Sequence, residues 1–476
     1  MKKWWLFILI VAQPFLDVLA FWTASENGTA AGIIRLGILL ICGLYILIRH
    51  HDKPKVLIFL AVCIVVFGAH IVNGIRVGYI SFYRDISYMS RVCFMPVLAL
   101  LFCLEIDNET VVNQVIKALA LNAIIVTFVI IISYISGTFT YTYGEGLGIS
   151  GWVTVDNRCC HSDILSSLCI FIGYFVLKYK KIYINVLLPI LIFLLLVTNG
   201  TRACYVTLYG ISIGYPAFII IRALISHEKP DKYQKIAVIS FLTIALAGYI
   251  VYPYTPRAKE EEYKRSHFST VEKDFVLKME SLGYDDVYNM SYEEKLSDTI
   301  FYEELKTYYN AFCWGGIPQI VQRFDLDTII RKYGATIDSG ILGNTRTMKQ
   351  KYASLIMDTQ DILTHFTGYE IAQLGDDMIV DLENDYFALL YYYGYLGLGA
   401  YIVGALYVFY RIIRLLINKF KENLTDLNFT LLLAFAIQLG LAYFSGAILR
   451  RPNASIYICI VIGMIFYETK FDSSSV

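Results

Sequence analysis

The sequence predicts an all-α polytopic membrane protein with about twelve transmembrane helices. Three observations carry this. Of 476 residues, 57% are apolar and 17% charged, against about 25% charged in a soluble globular chain. Apolar runs recur at about the 20-residue length a helix needs to cross the hydrocarbon core. One long polar stretch, residues 254–382, interrupts them. A mean hydropathy of +0.56 excludes a water-soluble enzyme and a disordered scaffold. The 40 basic and 40 acidic side chains cancel, so no bulk field draws a polyanion and no nucleic-acid partner is expected.

The runs lie near 4–22, 31–48, 55–74, 93–104, 111–136, 164–178, 182–198, 203–225, 234–253, 384–410, 429–449 and 454–467. The first follows Lys2 and Lys3 and has a signal-peptide outline, with Ala20 as a cleavage site. Pro14 and Asp17 within it argue for a retained helix. The densely basic short loops hold Lys53 and Lys55; Lys178, Lys180 and Lys181; Lys229, Lys232 and Lys235; and Arg411, Arg414, Lys419 and Lys421. All fall on one side when both termini are cytoplasmic. The polar stretch is then extracytoplasmic. This divides the chain into an N-terminal membrane region, 1–253, with about nine spans, a loop domain, 254–382, and a C-terminal membrane region, 383–476, with about three. The loop carries 14 basic and 22 acidic residues and has helix-like stretches. Most of the ten cysteines sit in apolar stretches without C-x-x-C spacing, which reads as small core residues.

The external short loops carry seven basic residues: Arg76, Arg84, Arg91, Arg158, Arg202, Arg450 and Arg451. None is a lysine. The inner loops and termini carry thirteen lysines and four arginines. A charge bias alone would deplete both residue types outside. Guanidinium differs in presenting a flat, always charged fork that grips phosphate oxygens bidentately. Two readings are open: a diphosphate site at the outer leaflet, or arginines that snorkel to headgroups or pair with Asp85, Asp156 and Asp163. The set as a whole favours the site, with Arg202 foremost because almost no loop surrounds it.

The stretch Leu196-Val197-Thr198-Asn199-Gly200-Thr201-Arg202-Ala203 resembles a motif of the O-antigen polymerase and O-antigen ligase superfamily: small hydroxyl residue, arginine, small residue. Glu383-Asn384-Asp385-Tyr386, followed by Gly394 and Gly397, resembles that superfamily's His-Asn-x-Tyr and glycine pair. Gly151 to Asn157 resembles its glycine-to-asparagine stretch, and Leu363 to Tyr369 its glycine stretch late in the large loop. The motifs run in order from 151 to 399, and nothing within 254–362 adds to them. Glu383 departs from the ligases' histidine. Capsule and exopolysaccharide polymerases resemble Glu-x-Asp here, so the departure favours a polymerase over a ligase.

The resemblance implies a GT-C-like plan with one large, mostly helical extracytoplasmic loop. It implies a bacterial plasma-membrane glycosyltransferase that joins oligosaccharide repeat units carried on undecaprenyl or another polyprenyl diphosphate. Donor and acceptor are then both lipid-linked glycans, membrane lipids surround the site, and a flippase and a chain-length regulator of the same pathway are expected partners. No cofactor and no metal are expected. The residues suit the chemistry. Breaking a glycosyl–diphosphate bond builds negative charge that preplaced cations stabilise, which assigns Arg202, Arg84, Arg91, Arg76, Arg450 and Arg451 to the diphosphate. A carboxylate or histidine takes the acceptor's proton: Glu383 first, then Asp385 or His365, with His161 and His70 lower. Glu383 at a helix start is also what the helix dipole favours. Asn157, Asn384 and Tyr386 are the further substrate contacts. Asp376-Asp377 and Asp285-Asp286 read as solvated acids. A ligase with another acceptor is the first alternative. A lipid-oligosaccharide flippase or transporter is the second; the missing internal repeat and a loop placed after the ninth span speak against it.

Overall fold

The computed structural model describes residues 3–24, 30–143, 146–312, 323–375, 382–418 and 420–470. Among these residues the chain is helical, with no strand beyond a single bridge between Thr140 and Gly151. Eleven helices are long and apolar enough to cross a membrane, and Pro452–Glu468 is a shorter apolar one. They fall on the twelve apolar runs in order. The protein is an all-α polytopic membrane protein.

Two helices are longer than their apolar runs. The run at 93–104 is part of a helix Phe82–Glu105, and that at 164–178 is part of a helix Arg158–Lys178. Their extra turns are polar, which hides them from hydropathy. A polar turn is tolerated at membrane depth where protein, not lipid, surrounds it. Arg158–Lys178 meets that condition, being buried along nearly its whole length.

The described chain forms two compact units. Unit one comprises Met1–Val62, Met89–Lys259 and Tyr401–Val476. Its helices include α1 (Trp4–Trp22), α2 (Ala30–His50), α5 (Glu109–Ile135), α6 (Arg158–Lys178), α7 (Ile182–Asn199), α8 (Arg202–Ser226), α9 (Lys232–Val251), α16 (Asp426–Phe444) and α17 (Pro452–Glu468). α6 is the centre and packs against α5, α7, α8, α16 and α17. Two of its polar residues find partners there: Ser167 Oγ accepts from Gln438 Nε2 at 2.8 Å, and Asp163 accepts from Ser445 Oγ at 2.6 Å. Asn108 caps α5, and Asp231 with Gln234 forms a reciprocal capping box on α9, which satisfies amides a helix start otherwise leaves open. A charge within a span must be paired; Asp17 on α1 accepts from Arg35 on α2 at 2.7 Å.

Unit two comprises Cys63–Tyr88 and Glu260–Ala400. The first segment carries the end of α3 (Pro54–Val77) and the start of α4 (Phe82–Glu105). The second carries α10 (Pro256–Ser281), α11 (Thr299–Ala311), α12 (Leu326–Tyr333), α13 (Thr345–Asp358), α14 (Ile362–Thr367) and the start of α15 (Asp385–Asn418). Its interior is aromatic: Phe268, Phe275, Tyr308, Tyr309 and Phe312 are buried, and Phe275 stacks on Tyr308 at 4.3 Å. Aspartates cap four of its helices: Asp298, Asp325, Asp338 and Asp361.

Candidate functional site

In unit one Arg158 opens α6, and the turns that carry Arg202, Arg450 and Arg451 are tied to α6 or to the segment just ahead of it. α7 ends at Asn199, and Gly200 in the left-handed conformation (φ +73°) reverses the chain. Thr201 then caps α8 by accepting from the Cys204 amide, which places Arg202 at the first helical position. Asn199 is fully buried. Its amide donates to the Ile149 carbonyl and to Ser150 Oγ, each at 3.4 Å, and the Ile149 amide donates back to the Thr198 carbonyl at 3.0 Å. The segment before α6 is thereby tied to the arginine turn. Thr142 in that segment touches Ser150 Oγ at 2.9 Å and accepts from Arg158 at 3.5 Å.

The loop between α16 and α17 meets α6 as well. Arg451 Nη1 donates to the Asp156 carbonyl at 2.7 Å and to Asn157 Oδ1 at 3.3 Å. Arg450 is buried, with Nη2 donating to the Gly446 carbonyl at 2.6 Å. Asp163 accepts from Ser445 Oγ at 2.6 Å. Asn157, expected to contact substrate, thus holds an arginine. Arg91 is exposed on α4. The scaffold links the amino-terminal ends of α6, α8 and α17, and helix amino-terminal ends favour anions.

Unit two holds the remaining candidates, and two glycines from separate sequence motifs meet at its heart. Gly394 (φ +63°, ψ −165°) breaks α15, and a Cβ there would lie 2.3 Å from the carbonyl carbon and oxygen of Phe366. A Cβ on Gly368 (φ +80°) would lie 2.2 Å from the Tyr392 carbonyl carbon. The two backbones cross where only glycine fits. The Tyr369 amide donates to the Tyr391 carbonyl at 3.0 Å, which the break in α15 has freed.

Asn384 caps α15 through Phe387 N, and Asp385 follows at its first turn, both fully buried. Glu383 precedes them with φ +52°, a conformation rare for a side-chain-bearing residue. Its carboxylate is held by Lys349 at 2.9 Å and Arg346 at 3.3 Å, both on α13. Tyr386 and His365 are half-buried. Arg76 pairs with Asp361 at 2.6 Å and donates to Asn73 Oδ1. Arg84 donates to the Gly375 carbonyl at 3.1 Å. Asp361 is held below the usual carboxylate range by the Thr364 amide, then by its hydroxyl and by Arg76.

Two features went unread in the sequence. His70 and Asp85 form a buried pair, Nε2 to Oδ2 at 2.8 Å, with His70 Nδ1 at 2.9 Å from the Thr367 carbonyl. Glu370 receives the amides of Ile80 and Ser81 at the start of α4. Only the fold brings His70 to its aspartate, because the two residues lie on different helices. Of the acids offered as arginine partners, Asp85 takes His70, Asp163 takes Ser445, and Asp156 lends Arg451 its carbonyl. Asp286 caps a short turn at Asn289. Asp376 and Asp377 lie outside the described residues.

A family model described as O-antigen ligase like membrane protein matches residues 1–471. The chain belongs to that family. No curated protein and no solved structure matches it. Membership in the O-antigen ligase-like family implies a glycosyl-transferring enzyme whose substrates are lipid-linked glycans in a membrane. The family match spans nearly the whole chain, so it covers the arginine scaffold of unit one and the glycine crossing of unit two alike.

Proposed function

We propose that this protein polymerises oligosaccharide repeat units carried on a polyprenyl diphosphate, on the outer face of the plasma membrane. The observation that carries the reading is the arginine scaffold at the amino-terminal ends of α6, α8 and α17, with Arg158, Arg202, Arg450 and Arg451. The bond between the sugar C1 and the diphosphate oxygen breaks, and the bonding pair leaves with the diphosphate. Guanidinium forks and helix amides meet the charge where it develops. The acceptor hydroxyl forms the new bond to C1 and gives its proton to a carboxylate. Asp385 is our choice for that role. Glu383 is already held by two cations, so we assign it to anchoring the start of α15. The Glu-Asn-Asp-Tyr sequence at 383–386, where ligases carry histidine, supports polymerase over ligase.

Deleting the gene and analysing lipid-linked sugars tests this. Single repeat units should accumulate on the carrier at the outer face, and long chains should vanish. Long chains still attached to carrier would instead mark a ligase. Units trapped on the cytoplasmic face would mark a flippase.

A further inference from the structure

The loop between α16 and α17 is pinned at both ends to one helix end. At its start, Ser445 Oγ lies 2.6 Å from Asp163 Oδ2 and 2.8 Å from the Leu441 carbonyl. At its finish, Arg451 reaches the Asp156 carbonyl and Asn157 Oδ1. Between them Gly446 (φ +67°) turns the chain and offers its carbonyl to Arg450. Asp156, Asn157 and Asp163 lie within the first turns of α6 or just ahead of them. Asp163 is fully buried and Ser445 nearly so. A carboxylate inside a membrane bundle costs several kcal/mol to keep there, and an apolar residue would fill the same space at no such cost.

We propose that Asp163 is a positioning residue: through Ser445 it sets the conformation of the 445–451 loop, and so holds Arg450 and Arg451 in the geometry that grips a diphosphate. This rests on the diphosphate reading above. The loop has seven residues and carries two guanidiniums, and bidentate recognition tolerates little displacement. The hydroxyl at 445 gives the loop its fixed origin. Without it, Arg451 still reaches Asn157, but the turn at Gly446 is no longer anchored. The carboxylate touches neither substrate nor leaving group and acts only through the loop.

The test uses the full chain in nanodiscs and farnesyl diphosphate as the probe, with farnesyl monophosphate as the comparison. A hydrogen bond to a charged group contributes enough that Ser445→Ala and Asp163→Asn should each weaken farnesyl diphosphate binding about tenfold. Ser445→Thr keeps the hydroxyl and should bind within about twofold of the parent, on the same scale. Affinity for the monophosphate, which needs one fork rather than two, should change less. A merely structural role would lower the thermal midpoint and the folded fraction but leave the affinity of the folded protein unchanged, and that result would overturn the proposal. Arg450→Ala and Arg451→Ala separate the two levels. If they weaken diphosphate binding and Ser445→Ala does not, the positioning role falls while the clamp stands. If neither arginine variant changes diphosphate binding, the clamp itself falls. Should Asp163→Asn misfold, Ser445→Ala against Ser445→Thr decides alone.

Discussion

Replacing Gly394 by alanine should loosen the segment 361–375 from α15. Two costs arise from the structure. The backbone at φ +63° and ψ −165° lies in a region essentially reserved for glycine, so a side chain there costs about 1–3 kcal/mol. The new Cβ would also sit 2.3 Å from the Phe366 carbonyl group, and forcing an extra carbon into packed space costs about 1–3 kcal/mol more. The sum, on the order of 4 kcal/mol, is a large part of the roughly 5–15 kcal/mol that holds a typical domain folded. The strain is relieved most cheaply by separating the two backbones, which breaks the bond from the Tyr369 amide to the Tyr391 carbonyl. Hydrogen exchange followed by mass spectrometry reads this directly. Peptides covering 361–375 should exchange at least tenfold faster in Gly394→Ala, at about 1.4 kcal/mol per decade. Gly404→Ala is the control, since its Cβ would meet nothing within 4 Å and helical alanine is favoured over glycine by about 0.5–1 kcal/mol. If Gly394→Ala exchanged like Gly404→Ala and unfolded at the same temperature, the crossing would not be what holds these segments together.

Three other outcomes are expected. Asp17→Asn strands Arg35 beside a neutral amide among buried neighbours, and breaking such a pair costs about 3–5 kcal/mol before discounting for the partial exposure of Asp17; thermal unfolding should show it, and leucine at both positions should recover most of the loss. Asp385→Asn should cut polymer formation by about 100-fold or more, the contribution of a general base, whereas Glu383→Gln, losing a partly exposed ion pair of about 1 kcal/mol, should keep turnover within tenfold; polymer yield per folded protein in a complemented deletion strain decides between them. Asp361 is held below its unfolded range, so its contribution is present above the ordinary carboxylate pKa of about 3.9 and is lost as the pH falls through the lower folded value; exchange at the Thr364 amide should therefore be protected at neutral pH and rise towards pH 3, after correction for intrinsic rates, and Asp361→Asn should flatten that dependence.

The spans were legible because lipid imposes a length and a composition that show in any window of sequence. The twelve runs and the helices coincide for that reason, down to Pro452–Glu468, which was short in both. What hydropathy missed was polar sequence inside protein: the first turns of α4 and α6, and Arg35 within α2, whose partner Asp17 lies eighteen residues back on another helix. Arg202 was legible from its tight turn between two spans. The back-to-back contact of Gly368 and Gly394 was not, although both glycines stood out in their own stretches. A glycine announces that space is short without saying what occupies it. Glu383 was legible as an acid at a helix start, but Arg346 and Lys349 lie 37 and 34 residues away, and no local pattern links them. Nor does the sequence signal that 63–88 packs in one unit with 260–400.

The cost of polar residues in a membrane helix is itself informative about where a site lies. α6 carries His161, Ser162, Asp163, Ser166 and Ser167 in succession, all buried. Facing lipid, such a helix would be unstable, since each unsatisfied polar group there costs several kcal/mol. It therefore has to be enclosed, and α16 supplies partners for two of these residues: Ser445 at its end for Asp163 and Gln438 within it for Ser167. A bundle that spends a central helix on polar contacts gains no stability over an apolar one of equal volume. What it gains is a fixed polar end from which Arg158 projects and against which Arg451 is held. Lysine at those positions would keep the charge and lose the second donor on which each fork depends. The absence of lysine from the predicted short outer loops and the polarity of α6 are both what the proposed diphosphate grip requires, placement of guanidinium forks at the end of the bundle.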